Sequence, residues 1–276
     1  MSGPSELGPA SSLREHRGPR TILAMGGGGF TMEPDNPVLD DFVLGLAAAR
    51  EPRILFLPTA SGDPAAQIAG FHARFAERAC TASHLSLFRL HGTRRPLREI
   101  VLEQDVIYIG GGSMRNLLAI WRAHGLDRLL AEAWERGVVL AGLSAGAMCW
   151  FEGGITRSSG PPETIAGLGL LPGSLSVHAD GEPERLPAFL DAVRTGALPG
   201  GWAVDDGVGL LFDGTRFARA VSSRPGAGAV RADALDGELV RARIEPELLG
   251  AGPAGIPLPG DAVDELRALQ RMRRRH

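Results

Sequence analysis

Short hydrophobic runs recur along the first half of the chain, and most of them stop at glycine or proline. They cover residues 21–25, 53–57, 84–88, 106–109 and 138–143. Runs of this length between turn residues are typical of strands buried on both faces of a sheet. Stretches of helical length separate them at residues 36–50, 64–79, 114–123 and 125–136. The alternation predicts an α/β fold with a doubly wound, mostly parallel sheet flanked by helices.

The pattern changes after residue 200, where the runs become shorter and closer together. Residues 208–212 and 217–221 flank an Asp-Gly pair, which predicts a β-hairpin. Runs at 228–231 and 239–243 predict further strands, which we expect to join the same sheet in antiparallel orientation.

We therefore divide the chain into three segments. They are a flexible N-terminal segment at 1–19, a single α/β domain at 20–245, and a linker with a C-terminal helix at 246–276. The Arg-rich end of that helix, expected over 262–275, is interpreted as a solvated tail.

Composition narrows the classes of partner. A hydrophobic content of 44% and a charged content of 22% are ordinary for a globular protein. The net charge of -3 provides no field that would gather nucleic acid or anionic lipid. No apolar run approaches the roughly 18 to 20 residues that cross a bilayer, and the first 20 residues lack the apolar core of a secretion signal. We expect a cytoplasmic protein without nucleic-acid or membrane partners.

The basic and sulfur-containing residues exclude several chemistries. All 29 basic residues are arginine. The absence of lysine excludes Ser–Lys dyads, Schiff bases and a phosphate-binding P-loop. The two cysteines, Cys80 and Cys149, form neither a disulfide framework nor a metal-site spacing. We expect no metal site.

The strongest local signal is at residues 142–146, which read Gly-Leu-Ser-Ala-Gly and include the end of the fifth predicted strand. This is the pattern of a nucleophile elbow, in which a serine lies on a sharp turn between a strand and a helix. The turn is crowded, so the positions two before and two after the serine must be small. We predict Ser144 as a nucleophile. The alternative is a serine that only caps the helix.

A serine hydroxyl needs a base, and in a chain without lysine histidine is the natural candidate. Among the seven histidines, only His178 follows Ser144 inside the predicted domain. In an α/β sheet the base usually arrives on a later loop. His178 stands where a short predicted strand runs into a loop, and we predict it as the base.

Three carboxylates are candidates for orienting the imidazole. Asp180 lies two residues beyond the base, where a strand aims both side chains the same way without forcing contact. Asp205 and Asp206 end a strand-like run and precede Gly207, which favours them. The alternative for the acidic pair is a solvated turn.

Backbone N–H groups are required to stabilise a tetrahedral oxyanion. Ala145 follows the nucleophile, and three glycines end the neighbouring predicted strand. A Gly-rich turn lets N–H groups approach a substrate oxygen closely, so we predict Ala145 and Gly112 as donors. Acyl transfer of this kind requires no metal and no organic cofactor.

Together these segments resemble the peptidase E (aspartyl dipeptidase) family of serine peptidases, which has a class I glutamine-amidotransferase-like fold with Ser in place of Cys. The resemblance spans residues 20–225 and depends on several motifs in one order. They are Tyr108–Ser113, Leu143–Ala147, His178 with Gly181, Glu182 and Arg185, and Asp205–Gly207.

The resemblance implies hydrolysis of short peptides, with Asp-X dipeptides as candidate substrates, and it is compatible with a homodimer. The implied roles are nucleophile Ser144, base His178, acid Asp206, oxyanion donors Gly112 and Ala145, and substrate-binding residues Arg185, Gly111 and Ser113. A guanidinium suits a substrate carboxylate because it binds in a bidentate manner. The alternative for Arg185 is a surface residue at a helix N-terminus, paired with Glu182.

The chain departs from the family pattern in two places. Ser113-Met114 stands where relatives often have Asn-Thr, and residues 155–160 lack the acidic residue that aspartyl dipeptidases tend to carry. These departures bear on aspartate specificity and not on hydrolysis.

Other classes fit the motifs less well. Four glycines at 26–29 suggest dinucleotide binding, but that fingerprint needs a glycine where Thr31 stands and an acid where residues 58–60 read Pro-Thr-Ala. A glutamine amidotransferase needs a cysteine at the elbow, whereas Cys149 lies five residues beyond Ser144. A hydrolase of another ester or amide, and a non-catalytic binding module, remain as alternatives.

Overall fold

The computed structural model describes residues 18–93, 95–235 and 238–250. Within them the chain forms two β-sheets with α-helices packed against them. The strands are β1 (Thr21–Met25), β2 (Arg53–Leu57), β3 (Thr81–His84), β4 (Val106–Ile109), β5 (Val139–Leu143), β6 (Phe151–Thr156), β7 (Glu163–Ala166), β8 (Leu171–Ser176), β9 (Gly201–Val204), β10 (Val208–Asp213), β11 (Arg216–Ser222), β12 (Ala229–Leu235), β13 (Glu238–Ile244) and β14 (Glu247–Leu248). The helices are α1 (Gly29–Met32), α2 (Val38–Gly45), α3 (Ala65–Phe75), α4 (Leu97–Leu102), α5 (Met114–His124), α6 (Leu126–Glu135), α7 (Ala145–Met148) and α8 (Arg185–Arg194).

The larger sheet has the strand order β14-β11-β10-β1-β5-β4-β2-β3. Strands β1, β5, β4, β2 and β3 run parallel to one another, and the hairpin β10–β11 joins β1 in antiparallel orientation. The predicted α/β class with a mostly parallel, doubly wound sheet is confirmed. The hairpin is also confirmed.

Both faces of the larger sheet are covered, which explains why its central strands are continuously hydrophobic. One face packs against α4, α5, α6 and α7, with the fully buried Trp121 among the contacts. The other face packs against α1, α2 and α3, where Phe56 and Phe71 stack at 4.8 Å between ring centroids.

The second sheet has the order β13-β12-β9-β8-β6-β7, and α8 packs against it. Its presence corrects the expectation of one sheet, because β12 pairs with β9 and β13 pairs with β12, and neither pairs with the β10–β11 hairpin. The hairpin already covers the free edge of β1, and the chain then returns to β9, where Ala229 pairs with Val204.

Two smaller expectations are also corrected. The third strand was expected at residues 84–88, but β3 ends at His84, and a 3₁₀ segment covers Leu87–Gly92. β3 is an edge strand with partly exposed polar residues, so its sequence lacks the hydrophobic signal of a buried strand. Residues 247–248 fall in the expected linker, yet they pair with β11 as β14.

Some expectations lie outside the described residues. They are those for most of the flexible segment at 1–19 and for the helix at 262–275. Across the described ranges, no helix has both the length and the apolar character needed to span a membrane.

Candidate active site

Ser144 lies on the sharp turn between β5 and α7. Its backbone has φ 52° and ψ -113°, a conformation that side-chain-bearing residues rarely adopt. Its N–H donates to the carbonyl of Met25 on the neighbouring β1, at 3.0 Å. Ser144 is partly exposed while the residues on either side of it are buried. The turn therefore presents one hydroxyl at the carboxyl end of the sheet.

The glycines on either side of Ser144 leave no space for a side chain. A Cβ on Gly142 would lie 2.0 Å from the carbonyl oxygen of Gly146. A Cβ on Gly146 would lie 2.6 Å from Cγ2 of Ile109. The predicted need for small residues two positions before and after the serine is confirmed.

The helix after the turn is short, since α7 ends at Met148 after four residues. Ser144 occupies its N-cap position, but the side chain makes no capping hydrogen bond. The alternative of a purely capping serine does not fit this arrangement. The hydroxyl is directed elsewhere.

That hydroxyl meets His178, which follows β8 of the second sheet. Nε2 of His178 lies 2.9 Å from Oγ of Ser144, and Nδ1 lies 2.5 Å from Oδ1 of Asp206. With the proton on Nδ1, the imidazole donates to the carboxylate and accepts from the serine hydroxyl. The structure thus joins a serine from one sheet to a histidine and an aspartate from the other.

The three candidate acids have different partners. Only Asp206 contacts the imidazole. Oδ2 of Asp205 accepts from the N–H of Gly228 at 2.8 Å, and burial raises the pKa of Asp205 above its usual value. Oδ1 of Asp180 accepts from the backbone N–H of Asp206 at 2.9 Å. Of the three, Asp206 is the one placed to orient the imidazole, and its role as the acid stays a prediction.

The glycine-rich turn after β1 packs against the acid. A Cβ on Gly27 would lie 2.1 Å from Oδ1 of Asp206, and one on Gly26 would lie 2.2 Å from the carbonyl oxygen of Asp205. The N–H of Gly207 donates to the carbonyl of Gly27 at 3.2 Å. These glycines permit the turn after β1 to approach the segment 205–207 closely. This packing role accounts for the glycine run that the sequence analysis compared with a dinucleotide-binding motif.

The turn after β4 borders Ser144 on its other side. A Cβ on Gly111 would lie 3.2 Å from Cβ of Ser144. Gly112 has φ 140°, and a Cβ there would lie 2.3 Å from the carbonyl oxygen of Ala60. Oγ of Ser113 accepts from the N–H of Asn116 at 3.2 Å and so caps α5. Gly111 is the member of this turn placed against the serine.

Ala145 is the first residue of α7. The N–H of a first helical residue has no acceptor inside its own helix, so it is free to meet a ligand. The oxyanion roles of Ala145 and Gly112 stay predictions, as do the substrate-binding roles of Gly111 and Ser113.

Arg185 lies at the start of α8 and is only 6% exposed. Its Nε donates to Glu182 at 2.7 Å, and its Nη1 donates to the carbonyl of Ile155 at 2.9 Å. Burial acts to raise the pKa of Glu182, but the hydrogen bond and charge of Arg185, together with smaller effects of His178 and Arg157, outweigh it, so this pKa lies below its usual value. The pairing with Glu182 is present, although the residue is buried and not on the surface. Its role toward a substrate carboxylate stays a prediction.

Cys149 contributes no nucleophile. Burial raises the pKa of its thiol well above the usual value, and Sγ donates to the carbonyl of Gly146 at 3.2 Å. A reactive thiol is instead accessible and has a lowered pKa. Throughout the part of the chain that the structure describes, no cluster of three or more His, Cys, Asp or Glu side chains is arranged to hold a metal ion.

Two features of the site were not predicted from the sequence. One is the hydrogen bond from Asp206 to Asp180, which depends on two loops meeting in space. The other is the positive φ of His178, 54°, which carries no sequence signal comparable to glycine. The sequence shows that Asp180 lies two residues after the histidine, but it does not show that Asp180 accepts from the N–H of Asp206.

An α/β fold that holds a serine on a strand-to-helix turn beside a histidine is typical of hydrolases with a serine nucleophile. Comparison with known proteins identifies the family within this class. The model of peptidase family S51 matches residues 22–220. The protein called uncharacterized peptidase YgaJ, from Bacillus subtilis (strain 168), is 47% identical over 231 residues, which cover 84% of this chain and 100% of that protein. The chain belongs to peptidase family S51, and it is a serine-type peptidase.

Solved structures share the fold. A peptidase from an acI-B1 Actinobacterium matches with a TM-score of 0.60 and 18% identity, covering 82% of this chain and 96% of that one. A putative peptidase E protein from Listeria monocytogenes EGD-e matches with a TM-score of 0.51 and 16% identity, covering 72% of this chain and 96% of that one. At these identities the matches bear on the fold, and they agree with the resemblance to the peptidase E family.

Proposed function

We propose that the chain hydrolyses short peptides through a Ser144–His178–Asp206 triad and an acyl-enzyme intermediate. The observation that carries the proposal is the continuous contact from Oγ through the imidazole to the carboxylate, at 2.9 Å and 2.5 Å. A nucleophile, a base within hydrogen-bond reach and a group that orients the base are the minimum set for nucleophilic acyl transfer.

In the proposed mechanism, Oγ of Ser144 attacks the scissile carbonyl carbon while Nε2 of His178 accepts the hydroxyl proton. Asp206 stabilises the resulting imidazolium and keeps Nε2 directed at the serine. The N–H groups of Gly112 and Ala145 donate to the tetrahedral oxyanion. His178 then protonates the leaving amine, and a water molecule, deprotonated by the same imidazole, hydrolyses the ester.

For specificity, the proposal includes Asp-X dipeptides among the substrates, with Arg185 as the contact for the first side chain. Because this guanidinium is bound to Glu182 and to the carbonyl of Ile155, substrate binding requires it to exchange one of these partners. Comparing kcat/KM for Asp-Leu and Ala-Leu tests this part. Equal values for the two dipeptides would remove Arg185 from substrate recognition.

The triad is tested with a fluorophosphonate probe and a panel of dipeptides with varied first residues. We expect one covalent adduct, mapped by mass spectrometry to Ser144, and cleavage of at least one dipeptide. Ser144→Ala should lose the adduct and lower kcat on the order of 10⁴-fold. Ser83→Ala, on the edge strand β3, is the matched control and should keep both activities.

The remaining outcomes separate the alternatives. Labelling at Ser144 with turnover of esters but of no peptide would favour a hydrolase of another class. A binding module would neither label nor cleave. Near-normal peptide turnover by Ser144→Ala would refute the triad.

A further inference from the structure

The loops that carry His178 and Asp206 are joined by more than the contact between the two side chains. The N–H of Ala179 donates to the carbonyl of Val204 at 3.1 Å. The N–H of Asp206 donates to Oδ1 of Asp180 at 2.9 Å. Asp180 therefore holds the backbone of the acid, while the acid holds the imidazole two residues before Asp180.

The backbone at Asp206 needs such a partner. It lies between the end of β9 and Gly207, which has φ 79°, so the sheet ladder does not satisfy its N–H. Asp206 is only 7% exposed, and a buried N–H without an acceptor is costly. Its carboxylate also has little room, because Oδ1 lies against Gly27. A small rotation of this backbone would move Oδ1 away from Nδ1 of His178.

The negative charge of Asp180 and its role as a hydrogen-bond acceptor are distinct properties. Its charge helps to raise the pKa of the Asp205 carboxyl group and that of the Arg224 guanidinium, although neither effect is the largest one on its group. Arg224 is itself bound to Glu33. The hydrogen bond from the N–H of Asp206 requires an acceptor oxygen, which a neutral side-chain amide can supply as well as a carboxylate.

We infer that Asp180 is a positioning residue of this peptidase: its Oδ1 fixes the backbone of Asp206, so that the carboxylate of Asp206 meets Nδ1 of His178. The inference rests on the proposed function, because Asp180 acts only through Asp206. The proton that Nε2 takes from Ser144 makes the imidazole cationic, and a carboxylate held in place stabilises that cation without reorganising.

Two substitutions separate the acceptor from the charge. Asp180→Asn keeps an acceptor oxygen at the same position and removes the charge. Asp180→Glu keeps the charge and displaces the acceptor by one methylene. We expect Asp180→Asn to retain kcat within about threefold and Asp180→Glu to lose on the order of 10- to 100-fold, since small misplacements of catalytic groups have effects of this size. KM should change little in either variant.

The measurements exclude a merely structural effect. Turnover is divided by the fraction of enzyme that the fluorophosphonate probe labels, and thermal unfolding is recorded for each variant. Asp191→Asn, an exposed acidic residue on α8, controls for the loss of a surface charge. In an Asp206→Asn background, Asp180→Glu should have little further effect, because residues that act through one another are not additive.

Equal losses in Asp180→Asn and Asp180→Glu would overturn the inference, as would full turnover of Asp180→Glu or an additive effect in the Asp206→Asn background. Because Asp180→Asn alone must stay active, the inference is testable even if Asp180→Glu does not fold. Failure of the proposed function is distinct, because the wild-type enzyme would then show no adduct at Ser144.

Discussion

Ser144 and His178 meet at 2.9 Å although they lie 34 positions apart and follow strands of different sheets. Both have positive φ, 52° and 54°, in residues that carry a side chain. Such conformations persist only where the surrounding structure enforces them, and they concentrate at functional sites. Here the crowded glycines enforce the serine turn, and the contact to Asp206 orients the histidine side chain.

The strained turn at Ser144 predicts a trade-off between stability and activity. Glycine adopts positive φ without the steric penalty of a Cβ. We expect Ser144→Gly to be more stable than Ser144→Ala by about 1 kcal/mol, while both variants are inactive. Urea unfolding of the two variants measures the difference. A less stable Ser144→Gly would mean that the turn is not strained in solution.

The two adjacent acids after β9 predict unequal effects of the same substitution. Asp206→Asn leaves an amide opposite Nδ1 and favours the wrong imidazole tautomer, so kcat should fall on the order of 10⁴-fold. Asp205→Asn keeps an oxygen for the N–H of Gly228, so kcat should fall by less than about tenfold. The measurement is kcat on the best dipeptide. The reverse order would move the triad acid to Asp205.

The sequence predicted the central strands well because they are buried on both faces, and hydrophobic runs identify such strands directly. The bounds of β3 were predicted wrongly, because its edge position tolerates exposed polar residues. The second sheet was not predicted. Strands β12 and β13 read as antiparallel strands in either sheet. The pairing of β12 with β9 depends on where the chain returns after β11, and this tertiary arrangement has no local sequence signal.

At the site, too, the sequence predicts what local contacts determine and leaves open what tertiary contacts determine. Ser144 lies in a local motif whose small neighbours are required by contacts within one turn, so the sequence predicts it with its context. His178 followed from elimination. The sequence favoured Asp205 and Asp206 over Asp180 but left all three open, because the contact to the imidazole depends on how two loops approach each other. In the structure the carboxylate of Asp206 contacts the imidazole, whereas that of Asp180 contacts the backbone of Asp206.

Gly146, two residues after Ser144, predicts a large loss of stability on substitution. A Cβ at Gly146 would lie 2.6 Å from Cγ2 and 2.7 Å from the carbonyl oxygen of Ile109, and the backbone cannot yield cheaply there. We expect Gly146→Ala to reduce the free energy of unfolding by about 3 kcal/mol.

Gly70→Ala is the matched control for that loss. Gly70 lies inside α3, and a Cβ there would meet only Cδ2 of Phe30, at 3.7 Å. Because alanine favours a helix, this substitution should raise the free energy of unfolding by about 0.5 to 1 kcal/mol. Urea denaturation compares the two. A Gly146→Ala protein as stable as the wild type would contradict the packing around the turn.

A buried carboxyl group away from the triad predicts a pH dependence of stability. Asp40 is fully buried, and burial raises its pKa from 3.8 to about 7, although Tyr108 donates a hydrogen bond at 2.9 Å and Arg74 lies 3.0 Å away. These two partners favour the ionised form, and the desolvation of the carboxylate outweighs them. The folded protein therefore keeps a proton on Asp40 at pH values where the unfolded chain has released it.

The sign follows from this difference in bound protons. Between the unfolded pKa of 3.8 and the folded pKa of about 7, the folded state binds more protons, so the contribution of Asp40 to stability falls as pH rises. Above the folded pKa it changes no further. In Asp40→Asn this contribution is absent, because an amide does not titrate in this range.

We therefore expect the stability of the wild type, measured relative to Asp40→Asn, to fall between pH 5 and pH 8 by about 1 to 3 kcal/mol. Urea unfolding of both proteins at several pH values gives the comparison. The absolute stability of Asp40→Asn is not the readout, since the substitution also leaves Arg74 without its carboxylate partner. A relative stability that stays constant or rises over this interval would show that the ion pair with Arg74 outweighs desolvation and keeps Asp40 ionised in the folded protein.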